Sequence, residues 1–214
     1  MIKAVLFDFD GTLINTNDLI YQSYDYAFKT VLGRNVEMRE FLNLYGRPLY
    51  SSLMEYGECG EELYRVYREF NETRHDSLAK PFDGVYDGVK EITEKGYVTG
   101  IVTSKRLELV NWGLKILKLS AQNDFSVIIT PEDTKKGKPD PEPILCACKK
   151  LNISPSEVIY VGDSEFDLEA GRAAGSRICA VEYSLTPRET LQKYKPDYFI
   201  GSIKELADML GDIK

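Results

Sequence analysis

The chain has little of what several large functional classes require. Its 214 residues carry 27 Lys and Arg against 34 Asp and Glu, a formal net charge of −7. A binder of nucleic acid or of an anionic membrane needs a basic face to release counterions or to meet headgroups, so neither partner is expected. No stretch reaches the roughly 20 uncharged apolar residues of a spanning helix. The four cysteines, Cys59, Cys146, Cys148 and Cys179, are scattered along the chain. Cys146 and Cys148, two apart in a helical pattern, face different ways and make no metal clip, so all four are expected to be fillers of core or surface. The chain begins directly in an apolar run without the segments of a secretory signal, and its cysteines suit a reducing compartment, which predicts a cytoplasmic location. Repeats and low-complexity segments are absent as well. What remains, 43% hydrophobic and 29% charged residues with 9 prolines, is globular composition, with room for one domain and a smaller insert.

Six short apolar runs stand out: residues 3–8 (KAVLFD), 97–103 (YVTGIVT), 125–130 (FSVIIT), 157–162 (EVIYVG), 177–182 (RICAVE) and 197–200 (DYFI). Segments with helical spacing precede, separate and follow the last five, at 85–95, 105–118, 141–151, 165–174, 187–194 and 202–210. Gly96 suits a helix stop, and Pro141 and Pro187 suit first helical turns. Strands alternating with helices predict an α/β fold with a doubly wound parallel sheet. One stretch breaks the alternation. Between Asn15 and Lys80 no strand is expected, and helices are predicted over Leu19–Leu32, Arg39–Leu44 and Glu61–Ser77. So much helix is too long for a crossover and predicts a separate small domain, hinged near Asn15 and near Pro81 to Gly84.

In an open α/β sheet the ligand binds beyond the carboxyl ends of the strands. Those ends carry Asp8-Phe9-Asp10-Gly11-Thr12, Thr103-Ser104 and Gly162-Asp163-Ser164-Glu165-Phe166-Asp167, and the third strand leads into Gly137-Lys138-Pro139-Asp140-Pro141. In this order the four segments resemble the four motifs of the haloacid dehalogenase superfamily across the whole chain. The resemblance implies a Rossmann-like core over 1–14 and 82–214, an all-helical cap over 15–81, and Mg2+ as cofactor. A lone Asp-x-Asp would say little, since such pairs also bind metal in glycosyltransferases; four features in register say much more.

The residue chemistry supports the same roles. In extended backbone Asp8 and Asp10 point to one side, with Cα atoms about 6–7 Å apart, so their carboxyl groups can straddle a phosphorus centre. Asp8 as nucleophile would form an aspartyl-phosphate and split hydrolysis into two easier steps. Asp10 would protonate the leaving group and then activate water. Attack by an anion on a phosphate dianion is opposed by about 4 kcal/mol per charge pair at ~4 Å and an effective dielectric of 20. Cations must offset it: Mg2+ held by the Asp8 side chain, the Asp10 carbonyl and Asp163, and the ammonium of Lys138. Thr103 would hydrogen-bond a phosphoryl oxygen, backbone N–H groups near Phe9 and Ser104 would add to the binding, and Asp167 would orient Lys138 or a metal-bound water. Taken singly, each feature has a plainer reading: turn chemistry for Asp10-Gly11, a helix cap for Thr103, a charged first helical turn for Asp163 and Asp167, a solvated loop for Lys136 and Lys138. Their joint occurrence at neighbouring strand ends argues against it.

The only histidine, His75, lies in the helical insert, which argues against a Ser-His-Asp hydrolase. It reads as a surface or packing residue, or else as a substrate contact from the cap. Arg47, in Tyr45-Gly46-Arg47-Pro48, is the stronger insert candidate for a distal phosphate or carboxylate. The insert's tyrosines (Tyr21, Tyr24, Tyr26, Tyr45, Tyr50, Tyr56, Tyr64, Tyr67) are expected in its small core and rim. Within the superfamily, the acid at position 10 resembles the phosphate-processing members rather than the dehalogenases. Ile14-Asn15-Thr16-Asn17, Phe70-Asn71 and His75-Asp76 resemble the pyrophosphatases, and Asn15 stands where many phosphoglycolate phosphatases have an acid. The expected activity is therefore hydrolysis of a small phosphorylated substrate, pyrophosphate or a phosphoglycolate-like monoester, by a monomer or dimer. The alternatives are a β-phosphoglucomutase-like isomerase and a non-catalytic receiver-type module.

Overall fold

A computed structural model describes residues 1–211. The chain divides into two compact units, Thr16–Ala79 and the remainder. In the larger unit β1 (Ala4–Phe7) leads to a two-residue strand β2 (Ile14–Asn15), and the chain returns through β3 (Lys80–Pro81). Five further strands follow, β4 (Val98–Val102), β5 (Val127–Ile129), β6 (Val158–Gly162), β7 (Arg177–Val181) and β8 (Tyr198–Ile200). Six of these strands form one parallel sheet in the order β5-β4-β1-β6-β7-β8. Every residue of β1 and of β6 is buried, which is why these strands read as unbroken apolar runs.

Helices of this unit, numbered after the four of the insert, are α5 (Val85–Glu94), α6 (Leu107–Leu117), α7 (Glu142–Leu151), α8 (Glu165–Ala174), α9 (Arg188–Gln192) and α10 (Ile203–Met209). Each lies where the spacing predicts it, and the doubly wound parallel sheet is found. Glycine ends α8: Gly175 adopts φ 86°, a left-handed cap open to it without a Cβ penalty. Gly171 lets α8 lie on the sheet, since a Cβ there would stand 2.5 Å from Ile178 Cγ2.

The insert contains α1 (Asn17–Leu32), α2 (Met38–Leu44), α3 (Leu49–Met54) and α4 (Gly60–Leu78). Helix α3 is not foreseen from the sequence: six residues behind Pro48 give no periodic pattern to detect. Aromatic rings build the insert's own core, with Tyr24 against Tyr67 at 4.7 Å and Tyr21 against Phe41 at 5.1 Å, edge to face. Of the expected tyrosines, Tyr24, Tyr45 and Tyr67 are buried, whereas Tyr26 and Tyr50 are exposed. The boundaries differ slightly from the expected 15–81, because Ile14 pairs with Pro81 and Asn15 with Lys80 in an antiparallel ladder that belongs to the larger unit. All four cysteines are free thiols, and Cys148 is buried while Cys146 is half-buried. Among the described residues no helix is long and apolar enough to cross a membrane.

Candidate active site

Because the six strands are parallel, their carboxyl ends share one edge, and β1 lies where the winding reverses between β4 and β6. Asp8 directly follows β1, Thr103 follows β4 and Asp163 follows β6. The Asp8 N–H donates to the Val161 carbonyl at 2.8 Å, so the ladder extends one residue into the site. Phe9 is fully buried, and Leu13 and Ile14 N–H both donate to its carbonyl, folding the loop into a tight turn. Gly11 completes that turn at φ 75°.

Lys138 ties the cluster together. Its Nζ donates to Asp8 Oδ1 at 2.7 Å and to Asp167 Oδ1 at 2.6 Å, and all three side chains are buried. Asp8, Asp163 and Asp167 also bring carboxylate oxygens within 4.8 Å of one another. Burial pushes the Asp8 carboxyl up to about 7, against the pull of Lys138, with Asp167 and Asp10 adding to the rise. Burial works against the Lys138 charge as well, but Asp167 and Asp8 outweigh it and hold the ammonium well above its ordinary range.

The donor set fits a hard divalent cation. Three buried carboxylates with one lysine leave two negative charges to offset, and the oxygens are of the kind Mg2+ takes. The set also sorts itself. Asp167 accepts from Lys138 and the Tyr160 hydroxyl on Oδ1, and from the Ser164 N–H and hydroxyl on Oδ2. Its oxygens are thus engaged by four donors, which leaves Asp167 little capacity of its own to hold an ion. Asp167 doubles as the third residue of the capping box that Ser164 opens at α8, so the plain helix-cap reading holds for it together with its grip on Lys138.

Asp10 has a lysine of its own. Its Oδ1 accepts from Lys105 Nζ at 2.6 Å, a pairing the sequence does not foresee. Thr103 Oγ1 accepts from the Lys105 backbone N–H at 3.1 Å, which leaves the hydroxyl proton to donate; it is no helix cap, since α6 starts only at Leu107. Ser104 is exposed beside it.

In the insert, Arg47 is paired with Glu55 and lines a cleft of about 450 Å³ with Arg34, Glu40 and Tyr56. His75 is fully buried, with Nδ1 3.2 Å from Asp76 Oδ1. Of the two plain readings of His75, packing holds and surface does not: the apolar face of α4 draws it inward.

Sequence reasoning also misses three supporting side chains. Tyr160, inside the apolar run of β6, shares its one hydroxyl proton between Asp167 and the Val102 carbonyl. After β7, Tyr183 donates to the Thr12 carbonyl at 2.7 Å and Ser184 to the Asp163 carbonyl, bracing two of the site loops. Only the position of Tyr183 and Ser184 just beyond a strand could have signalled them.

Known proteins agree with this architecture. A relative in Clostridium perfringens, provisionally named pyrophosphatase PpaX, is 43% identical over 98% of both chains. Pyrophosphatase PpaX of Bacillus thuringiensis is 38% identical, covering 99% of this chain and 98% of its own. A solved structure from Clostridium acetobutylicum, described as a predicted phosphatase, superposes with a TM-score of 0.86 at 25% identity over the full length of both chains. With the model of the haloacid dehalogenase-like hydrolases matching residues 5–181 as well, the chain belongs to that family.

Proposed function

We propose that this hydrolase cleaves a small phosphorylated compound, inorganic pyrophosphate before phosphoglycolate, through a covalent aspartyl-phosphate on Asp8. The observation that carries the reading is the buried ammonium of Lys138 held on Asp8 and Asp167 beside Asp163, at the strand end where ligands bind in this fold class. The names of the Clostridium and Bacillus relatives favour pyrophosphate.

In the first step an Asp8 oxygen forms a bond to phosphorus as the bond to the leaving oxygen breaks, and Asp10 gives that oxygen a proton. In the second, Asp10 takes a proton from water, which attacks the phosphoryl group and frees Asp8. Lys138 keeps Asp8 oriented and partly neutralised, and the Thr103 hydroxyl and nearby backbone N–H groups hold the phosphoryl oxygens. Asp8, Asp163 and the Asp10 carbonyl would hold Mg2+, which when bound supplies positive charge against the repulsion between nucleophile and phosphate. The insert is assigned the role of a cap. Arg47 would reach a distal anion only by sharing its charge with Glu55, and His75 has no part in this reading.

Phosphate release from pyrophosphate, phosphoglycolate and a panel of sugar phosphates, with Mg2+ and with excess EDTA, tests the proposal. Turnover that needs Mg2+ and no sugar bisphosphate activator is expected. Full activity in EDTA would overturn the metal assignment, and dependence on a bisphosphate activator would point to a mutase.

A further inference from the structure

Lys105 takes no part in the scheme above, yet its side chain is only 6% exposed and its Nζ lies 2.6 Å from Asp10 Oδ1. An ammonium buried to this degree is held by its partners and is not a solvated surface charge. Its backbone N–H anchors it to the Thr103 hydroxyl, and Nζ stands 5.9 Å from the centre of the Phe9 ring, the residue between the two aspartates. The two buried lysines thus divide the site: Lys138 serves the nucleophile, and Lys105 serves the carboxyl that handles the leaving group.

An ammonium has three N–H donors, and Asp10 Oδ1 takes one. A leaving oxygen hydrogen-bonded to that same Oδ1 lies within two hydrogen-bond lengths, roughly 5 Å, of Nζ, which brings the other oxygens of a leaving phosphate into its reach. We propose that Lys105 is a specificity-determining residue that binds the charge of an anionic leaving group, so that the site favours a phosphoanhydride over an ester that releases a neutral alcohol. The inference rests on the pyrophosphate reading and names the residue that selects it. When the anhydride bond breaks, its electron pair goes to the leaving phosphate oxygen, Asp10 supplies the proton, and the Lys105 ammonium donates a hydrogen bond to the departing phosphate. Arg47 is less suited to this task, since its guanidinium already belongs to Glu55.

Lys105→Met keeps the side chain's length and removes its charge. Its kcat/KM, and that of wild type, would be measured on three substrates. They are pyrophosphate, glycerol 2-phosphate, whose alcohol needs the Asp10 proton, and 4-nitrophenyl phosphate, which needs it little. The expected result is a roughly tenfold to hundredfold loss on pyrophosphate, a far smaller loss on both esters, and recovery of most of the pyrophosphate rate in Lys105→Arg. If pyrophosphate and glycerol 2-phosphate fall together, Lys105 acts by positioning Asp10 and the proposal is overturned. If all three fall with a lowered melting temperature, its role is structural and the proposal is likewise overturned. A wild-type enzyme that hydrolyses the esters and leaves pyrophosphate untouched instead overturns the substrate reading on which the inference stands.

Discussion

A nucleophilic carboxylate must be dry to react and ionised to attack, and Asp8 meets these demands only in opposition. Burial pushes its carboxyl up to about 7 even with Lys138 in contact, so the ionised form is held at a cost to the fold. Asp8→Asn is therefore expected to lower turnover roughly a thousandfold or more while leaving the metal-free melting temperature at or above the wild-type value. Steady-state kinetics and thermal melts check the two halves, and a variant that loses activity by unfolding would count against the assignment. Asp10→Asn should discriminate among leaving groups. Glycerol 2-phosphate should lose far more rate than 4-nitrophenyl phosphate in the first step, because nitrophenolate needs little protonation; equal losses would make Asp10 a structural residue. The sequence makes the placement of these residues legible, since Asp8, Thr103 and Asp163 each stand directly behind an apolar run. It hides the partners. Lys105 reads only as the first residue of the helical segment 105–118, and Tyr160 reads as one more apolar residue of its strand, because the reach of either side chain to an aspartate depends on the neighbouring elements.

At the scale of elements, α5 and α10 show how glycine and charge set a close approach. A Cβ on Gly88 would stand 2.5 Å from the Ile203 carbonyl carbon, backbone that no rotamer change can move aside. Gly88→Ala should destabilise the protein by about 1–3 kcal/mol in urea unfolding, although alanine is intrinsically better in a helix by about 1 kcal/mol. The same pair is bridged by Glu91, which bonds both Lys204 and Lys95 at 2.8 Å. Hydrogen bonds from Lys204 and Lys95 hold the Glu91 carboxyl down at about 2, against an ordinary 4.5. A lowered folded value stabilises above the unfolded value, so the contribution is present above 4.5 and fades as the pH falls toward 2. Glu91→Gln should thus be less stable than wild type at neutral pH, and the difference should shrink across that window and with added salt. A difference independent of pH would assign the effect to packing. The long elements are legible because periodicity needs length to show itself. The six residues of α3 and the two-residue strands β2 and β3 are set by tertiary pairing, and nothing local marks them.

For the molecule as a whole, the division into two units makes a test of where the chemistry resides. Every side chain of the proposed mechanism, and Lys105 with them, belongs to the larger unit; Arg47 alone comes from the insert. The insert departs after Asn15 and returns at Lys80, which are cross-strand partners in an antiparallel pair, so their Cα atoms lie about 5 Å apart. A gap that short can be closed by an Asn-Gly turn in place of Thr16–Ala79. The shortened chain should fold, because its sheet and both helical layers are intact, and circular dichroism should give one cooperative melt. It should still hydrolyse 4-nitrophenyl phosphate in a manner abolished by Asp8→Asn, at a rate lower by roughly a hundredfold if the insert serves as a lid that excludes water. The ratio of pyrophosphate to glycerol 2-phosphate turnover is the sharper measurement. With Lys105 as the cation for the leaving group, that ratio should survive the excision to within about tenfold. Its collapse toward unity would transfer the choice of substrate to the insert, with Arg47 the first residue to substitute there.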